Sequence, residues 1–287
     1  MLDWVRITNI DNDYTLDYSN RNPVNITPLE AALFTVDYIT KNYPAPYTLF
    51  LSGGIDSQAM LYAWHLSKVP FDTFSAVYNF DLNAHDLENL KLFSNQFSID
   101  INFVSFDLFG FLDTEYSDYA LSYRCCSPHI CTYMKMSEMV KTGTCIFSGN
   151  FILDPRMFID RNNFGLYKFA KKTNKPIVGF FFSETEELAY SFLPSINVHK
   201  ISNTTAARIE AYHSNGFPVI PQKEKYTGFE KVKEYYDLNI PKPKYKKIEI
   251  IHPKQRSTRT FDLLYRNKYE IKFQDDKYYL RNRKKHE

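Results

Sequence analysis

The chain has 287 residues, 44% hydrophobic and 24% charged, with 9 Gly and 14 Pro, a composition that excludes the collagen-like, low-complexity and wholly disordered classes. It is longer than the usual domain of roughly 100–200 residues, so one large domain or a core with an appendage is expected. The formal charge of +2 conceals an asymmetry: residues 1–222 carry 16 Lys/Arg against 23 Asp/Glu, a balance of −7, and residues 223–287 carry 19 against 10, a balance of +9.

The opening MLDWVRITNIDNDY has an acidic residue at position 3 and no apolar segment before a small-residue cleavage site. No secretory signal is therefore expected, and residues 1–26 read as an N-terminal extension. From residue 27 helical and strand patterns alternate. Thr27 and Glu30 have the spacing of a capping box with Pro28 at the first helical position, which predicts a helix from about Pro28 to Lys41. Tyr47 to Leu51 is a short apolar run of the kind a buried parallel strand shows, and Ser52-Gly53-Gly54 interrupts it before a helical stretch from Ser57 to Ser67. The pattern repeats with a strand at Thr73 to Tyr78, a helix at about His85 to Phe97, a strand at Ile101 to Phe106, a helix at about Pro128 to Lys141 and a strand at Thr144 to Ser148. Such alternation predicts an α/β fold, a parallel sheet with helices on both faces that binds ligands beyond the carboxyl ends of its strands.

Beyond about residue 155 the pattern weakens. Ser183-x-x-Glu186 and Thr227-x-x-Glu230 have capping-box spacing, and Asn203 to Gly216 reads as a short capped helix, all predicting helices that wrap the sheet. From Lys246 the alternating runs IEII, TFDLLY and YEIKF predict a small antiparallel meander. The expected organisation is an extension over 1–26, a main α/β domain over 27–245 and a basic β-rich C-terminal appendage over 246–287. The positive balance of the tail reads either as a contact surface for nucleic acid or as a solvated face.

The most apolar stretches, Phe74 to Phe80 and Ile177 to Phe182, fall far short of the roughly 20 residues of a spanning helix, so no membrane contact is expected. Cys125, Cys126, Cys131 and Cys145 do not form a spaced disulfide framework, which points to a reducing, cytoplasmic setting. Cys125, Cys126, His129 and Cys131 have ligand chemistry, but their spacing is too tight for the usual zinc knuckle, and buried apolar cysteines are expected.

The richest segment is LFLSGGIDSQAML, Leu49 to Leu61. Gly53 and Gly54 can take backbone conformations closed to other residues, and their N–H groups can form a concave nest, to which the following helix adds its positive end. Ser52 and Ser57 supply hydroxyls, and Asp56 in the first turn can cap the helix or help hold a divalent cation. Together these residues suit a pyrophosphate. Neither the GxxxxGK[ST] spacing of a Walker loop nor GxGxxG is present.

SGGIDS after an apolar strand resembles the PP-loop motif SGGxDS of the N-type ATP pyrophosphatases, a superfamily that includes asparagine synthetase, GMP and NAD synthetases, 7-cyano-7-deazaguanine synthase and several tRNA-modifying ligases. The resemblance runs from about Pro28 to about Asp154. It implies a Rossmann-like fold of the adenine nucleotide alpha hydrolase type that uses ATP and Mg2+. By this resemblance Ser52, Gly53, Gly54, Asp56 and Ser57 hold the pyrophosphate, and backbone near Val77, Tyr78 and Asn79 meets the adenine edge. A second loop, Ser148-Gly149-Asn150, closes over the nucleotide, and Asp56 and Asp154 ligate magnesium. The implied chemistry is attack of a substrate oxygen on the α-phosphate, with pyrophosphate leaving. The adenylated intermediate then passes to an amine, ammonia or sulfur donor. Asp56 and a cation among Arg124, Lys135 and Arg156 are expected to carry it.

Departures narrow the reading. Position 2 is Leu, so the cysteine nucleophile of an N-terminal glutaminase is not expected, and the paired CxxC cysteines of thiolating members do not occur. Three functions remain in view: an adenylating ligase acting on a small molecule, a tRNA- or nucleic-acid-modifying enzyme docked through the basic tail, and a nucleotide-binding interaction protein that keeps the fold.

Overall fold

The computed structural model describes residues 5–7, 14–16, 26–123, 125, 127–151, 164–192, 205–221 and 228–229. Within the N-terminal extension, β1 (Val5–Ile7) and β2 (Tyr14–Leu16) form an antiparallel pair that the sequence reading did not anticipate. Helix α1 (Pro28–Asn42) begins as its sequence dictates: Glu30 N–H donates to Thr27 Oγ1 at 3.3 Å, and Thr27 N–H donates to Glu30 Oε2 at 2.9 Å.

The main body continues through β3 (Tyr47–Phe50), α2 (Ile55–Ser67), β4 (Asp72–Tyr78), α3 (Ala84–Phe97) and β5 (Phe103–Phe106). Then come α4 (Leu108–Thr114), α5 (Tyr116–Tyr123), α6 (Pro128–Met139), β6 (Thr144–Phe147), α7 (Phe164–Thr173), β7 (Ile177–Val178), α8 (Glu186–Ser191) and α9 (Thr205–Ser214). Strands β3 to β7 form one parallel sheet in the order β5-β4-β3-β6-β7. From β3 the chain builds outward through β4 and β5, then returns to place β6 on the other side of β3. The switch point therefore lies between β3 and β6.

Alternation along the strands divides the interior into two layers. Leu49, Ile146 and Val178 face the layer covered by α1, α2, α3, α8 and α9, while Phe50, Phe147 and Ile177 face the layer covered by α4 to α7. Phe50 is stacked between its register partners, with ring centroids 4.7 Å from Phe74 and 4.4 Å from Phe147. This aromatic row fixes the carboxyl ends of β3 and β6 against β4, and removing its central ring would cost about 3–5 kcal/mol.

The α/β fold with a parallel sheet covered on both faces is as expected. Helices α4, α5 and α7 and the two-residue β7 were not anticipated. One cap differs: α8 is capped by Thr185, whose Oγ1 accepts from Leu188 N–H at 3.3 Å, while Ser183 closes a preceding 3₁₀ turn, Phe181–Ser183. The predicted meander and most of the Thr227-x-x-Glu230 segment lie outside the described residues.

Candidate functional site

The loop from Leu51 to Gly54 leaves the carboxyl end of β3, and its two glycines have different reasons to be there. Gly53 has φ +87°, and a Cβ on it would lie 1.9 Å from the Asp86 carbonyl oxygen at the start of α3, so neither its conformation nor its space admits a side chain. Gly54 has an ordinary φ of −65° and meets only Ser52 Oγ, at 3.4 Å. It is the N-cap of α2 yet has no side chain to cap with, which leaves the first-turn N–H groups of Ile55, Asp56 and Ser57 without a side-chain acceptor. The loop is held from within: Gly53 N–H donates to Ser57 Oγ at 3.1 Å, Gly54 N–H to Ser52 Oγ at 3.3 Å, and Ser57 Oγ–H to the Gly54 carbonyl at 2.8 Å. Ser52, Gly53, Gly54, Asp56 and Ser57 thus converge on one helix start. Its uncapped N–H groups and positive dipole suit an anion.

Behind this loop stand residues that the sequence reading did not single out. Tyr212 Oη–H donates to Asp56 Oδ1 at 2.6 Å, and Arg208 Nη2 lies 3.1 Å from the same oxygen. Both come from α9, four residues apart and so on one helix face. Arg208 Nη2 also lies 3.4 Å from the Phe151 carbonyl, and its guanidinium sits 4.5 Å over the Phe151 ring. Gln58 Nε2 donates to the Gly53 carbonyl at 2.8 Å, while its Oε1 accepts from Ile220 N–H at 2.8 Å. The segment from 205 to 220 is therefore bonded to the loop at several points. Burial works against the Arg208 charge, but Asp56 and Tyr212 outweigh it and raise its pKa above the ordinary value. Burial and the Asp56 charge hold the Tyr212 phenol well above its usual range.

The second loop leaves β6 beside the first. Gly149 has φ +63°, and a Cβ there would lie 2.6 Å from the Phe180 ring. Phe182 N–H donates to the Ser148 carbonyl at 3.1 Å, tying the Ser148-Gly149-Asn150 loop to the chain after β7. The register that pairs β3 with β6 through Phe50 and Phe147 puts this loop and the SGGIDS loop side by side at the switch point.

On the other side of β3, β4 projects further, and Val77, Tyr78 and Asn79 lie at its carboxyl end. The Asn83 side chain already serves that edge: Tyr78 N–H donates to Asn83 Oδ1 at 3.0 Å, and Asn83 Nδ2 donates to the Ala76 carbonyl at 2.8 Å. Asn79 Nδ2 donates to Asp107 at 2.6 Å, and its own Oδ1 is buried and takes no hydrogen bond. Phe80 and Asp81 follow with φ of 56° and 52°, leaving the Phe80 ring 76% exposed against Phe109.

Arg124, Asp154, Arg156 and Cys126 lie outside the described residues. Lys135 is bound to Glu115 at 2.5 Å, so its charge has a partner already. Cys125, Cys131 and Cys145 are buried thiols, with Cys131 Sγ 3.4 Å from the Cys125 carbonyl. The His129 ring packs on Tyr133 and Phe229.

Among the described residues no three His, Cys, Asp or Glu side chains gather as a metal site. Magnesium needs less, commonly one or two carboxylates with phosphate oxygens and waters. Asp56 fits that role in part, because both of its described donors go to Oδ1 and none to Oδ2. The sequence missed Arg208 and Tyr212 because they stand 152 and 156 residues from Asp56. An Arg-x-x-x-Tyr pair on a short helix is too common a pattern to mark a site.

Among the described residues no helix is long and apolar enough to cross a membrane. The chain matches no model of a known protein family, and no curated protein matches it significantly.

Proposed function

We propose that the protein binds ATP with Mg2+ at the switch point and cleaves it to AMP and pyrophosphate, acting as an adenylating ligase that forms an amide- or nitrile-type bond on a small molecule. The observation that carries this reading is the position of SGGIDS: all six residues of the PP-loop pattern lie at the carboxyl end of β3, beside the glycine loop of β6. That crevice is where open α/β sheets bind ligands.

In this reading Ser52, Gly53, Gly54 and Ser57, with the uncapped N–H groups of α2, bind the pyrophosphate as one leaving group. The Ser52 and Ser57 hydroxyls exchange their bonds within the loop for phosphate oxygens. Asp56 helps hold Mg2+, whose chemistry is to neutralise charge on the phosphate chain. Ser148, Gly149 and Asn150 close the opposite wall. With Asn83 on the β4 backbone, the base is left the Asn79 side chain, whose Oδ1 suits the exocyclic amine of adenine. The acceptor oxygen attacks the α-phosphorus, the bond to the bridging oxygen breaks, and pyrophosphate departs. The buried thiols Cys125, Cys131 and Cys145 favour a reducing, cytoplasmic setting.

Incubation with ATP labelled at the α- and γ-phosphates, over a panel of carboxylates, tests the reading. Labelled AMP and pyrophosphate are expected, and ADP with phosphate as the main products would refute it. A second reading, modification of tRNA or another nucleic acid, is favoured by the +9 balance of residues 223–287. Filter binding of tRNA at two salt concentrations separates the two, since phosphate contacts weaken steeply with salt.

A further inference from the structure

We infer that Phe80 is a stacking platform for an unpaired base of a single-stranded nucleic acid, whose phosphates the basic, tyrosine-rich segment 223–287 holds. The inference rests on the second reading above, a nucleic-acid substrate, and adds to it the strand state and a residue at the carboxyl end of β4.

Exposed hydrophobic residues scattered singly are ordinary. Phe80 differs because its backbone conformation works against its side chain. It has φ 56° and ψ 30° and is followed by Asp81 at φ 52°, although a bulky residue suits the left-handed region poorly and glycine or asparagine suits it best. Core packing does not compensate: the ring is 76% exposed, its centroid 5.7 Å from that of Phe109, while Leu82 two residues on is buried. Nor is the turn slack. The Asn83 side chain binds the Tyr78 N–H and the Ala76 carbonyl, and the Asn79 side chain donates to Asp107. A strained backbone that is held in place and turns a large apolar ring to solvent is strain spent on a binding surface.

The composition of the C-terminal segment names the partner. Residues 223–287 carry 19 Lys/Arg against 10 Asp/Glu and eight of the 22 tyrosines, five of these beside a basic residue, as in Lys225-Tyr226, Lys244-Tyr245-Lys246 and Lys268-Tyr269. Cations that follow phosphates and rings that stack on bases are the two parts of a single-strand surface. In a duplex the base faces are already covered by their neighbours. Position joins this segment to the platform. Its described residues Gly228 and Phe229 pack beside the turn: the Phe229 ring lies 6.0 Å from Tyr78, and a Cβ on Gly228 would lie 3.3 Å from Leu82 Cβ, with Phe80 midway between the two. The same turn runs into α3, whose Asp86 carbonyl closes on Gly53, so a base stacked on Phe80 stands beside the proposed ATP site.

Fluorescence anisotropy on the full chain tests this, with a labelled single-stranded RNA of mixed sequence, the same strand as DNA, and the RNA duplex as probes. Phe80→Asn suits the left-handed backbone, so its thermal midpoint should be unchanged or higher than that of wild type. Its affinity for whichever single strand wild type binds more tightly should fall roughly 5- to 100-fold. Duplex affinity, and ATP affinity by calorimetry, should stay within about threefold. Phe80→Trp keeps a face for stacking and should bind single strands within about threefold of wild type. Unchanged single-strand binding in Phe80→Asn, an equal loss for the duplex, or an equal loss in Phe80→Trp would each overturn the inference. So would a parallel loss of ATP, which would make the ring a contact of the nucleotide. If wild type binds single strands and Phe80→Asn binds them equally, only the role of Phe80 fails. If wild type binds no nucleic acid, the nucleic-acid reading fails and the inference with it, while calorimetry reports on the ATP site separately.

Discussion

The two ends of the central sheet use similar residues for different ends. At the amino end an open groove of about 690 Å3 is lined by Thr48, Asp72, Thr73, Asp100, Asn102 and Met139 among others. Its Thr73 hydroxyl is committed to the chain: Thr73 Oγ1–H donates to the Asp100 carbonyl at 3.0 Å and accepts from Asn102 N–H at 2.8 Å, closing the start of β5. At the carboxyl end the backbone leaves donors over at the start of α2, and a guanidinium and a phenol converge on one carboxylate oxygen. Polarity alone does not mark a site. Polar groups that local structure leaves unconsumed do.

The sharpest way to break this contrast is at Gly53. Gly53→Ala must move either its own backbone, at φ +87°, or the Asp86 carbonyl 1.9 Å away. We expect a loss of at least about 2 kcal/mol in urea unfolding, together with loss of nucleotide binding. Gly54→Ala, with an ordinary φ and open space, should change stability by less than about 1 kcal/mol. Equal effects of the two substitutions would contradict the division of labour between the glycines.

Asp56 comes next. From the motif alone Asp56→Ala is expected to weaken binding and spare the fold, but the structure adds a structural cost. Arg208 and Tyr212 would lose their shared acceptor, and with these side chains largely buried the loss should be about 2–4 kcal/mol. Asp56→Asn keeps an acceptor for Tyr212, so it should lose Mg2+-ATP affinity with a stability loss nearer 1 kcal/mol. Paired urea and calorimetric measurements separate the two losses.

A pH titration probes a buried carboxyl outside both ends. Burial pushes Glu184 up to about 8 from an ordinary 4.5, against the bond donated by Tyr43 at 2.7 Å. The folded state then keeps a proton that the unfolded state has lost, so this contribution is fully present below about pH 4.5 and declines until about pH 8. Glu184→Gln should flatten that decline in thermal unfolding. An equally steep decline in the variant would remove Glu184 as its source. At the amino end Thr73→Ala should cost about 1–2 kcal/mol and leave ATP affinity unchanged, since it breaks bonds that serve only the sheet.

How much of this was legible follows from where the information sits. The strands from Tyr47 to Phe147 and helices α1, α2, α3 and α6 announce themselves because each is a short apolar run or a periodic segment with start signals, Thr27 with Glu30 being the clearest. The SGGIDS loop is legible because its constraints are local. Helices α4 and α5 were missed because they are only 7 and 8 residues long, too short for the helical period to stand out. Strand β7 was missed because two residues, Ile177 and Val178, make no pattern. The cap of α8 was misassigned because Ser183 and Thr185 both precede acidic residues, and only packing decides, with Thr185 Oγ1 2.7 Å from Thr35 Oγ1 of α1. Arg208 and Tyr212 become part of the site only through folding across the chain.

The smallest effect is expected from removing residues 246–287, and it turns on where the boundary of the tail falls. By charge the basic unit begins at residue 223, but by packing it begins later. Phe229 is 1% exposed, its ring centroid 6.0 Å from Tyr78 and 5.2 Å from His129, and a Cβ on Gly228 would lie 3.0 Å from Tyr78. This stretch therefore belongs to the main body at the carboxyl end of β4, beside the proposed base position. Ending the chain at residue 222 empties that place and should cost about 3–5 kcal/mol, the scale of deleting a buried phenylalanine. Ending it at 245 keeps Phe229 and removes only residues 246–287, so ATP affinity should stay within a few-fold of wild type. Any affinity for nucleic acid should vanish with those residues, having fallen steeply with salt in the full chain. If the 245 truncation unfolds or loses ATP, the packing boundary lies beyond 245 and the positive charge is a face of the core.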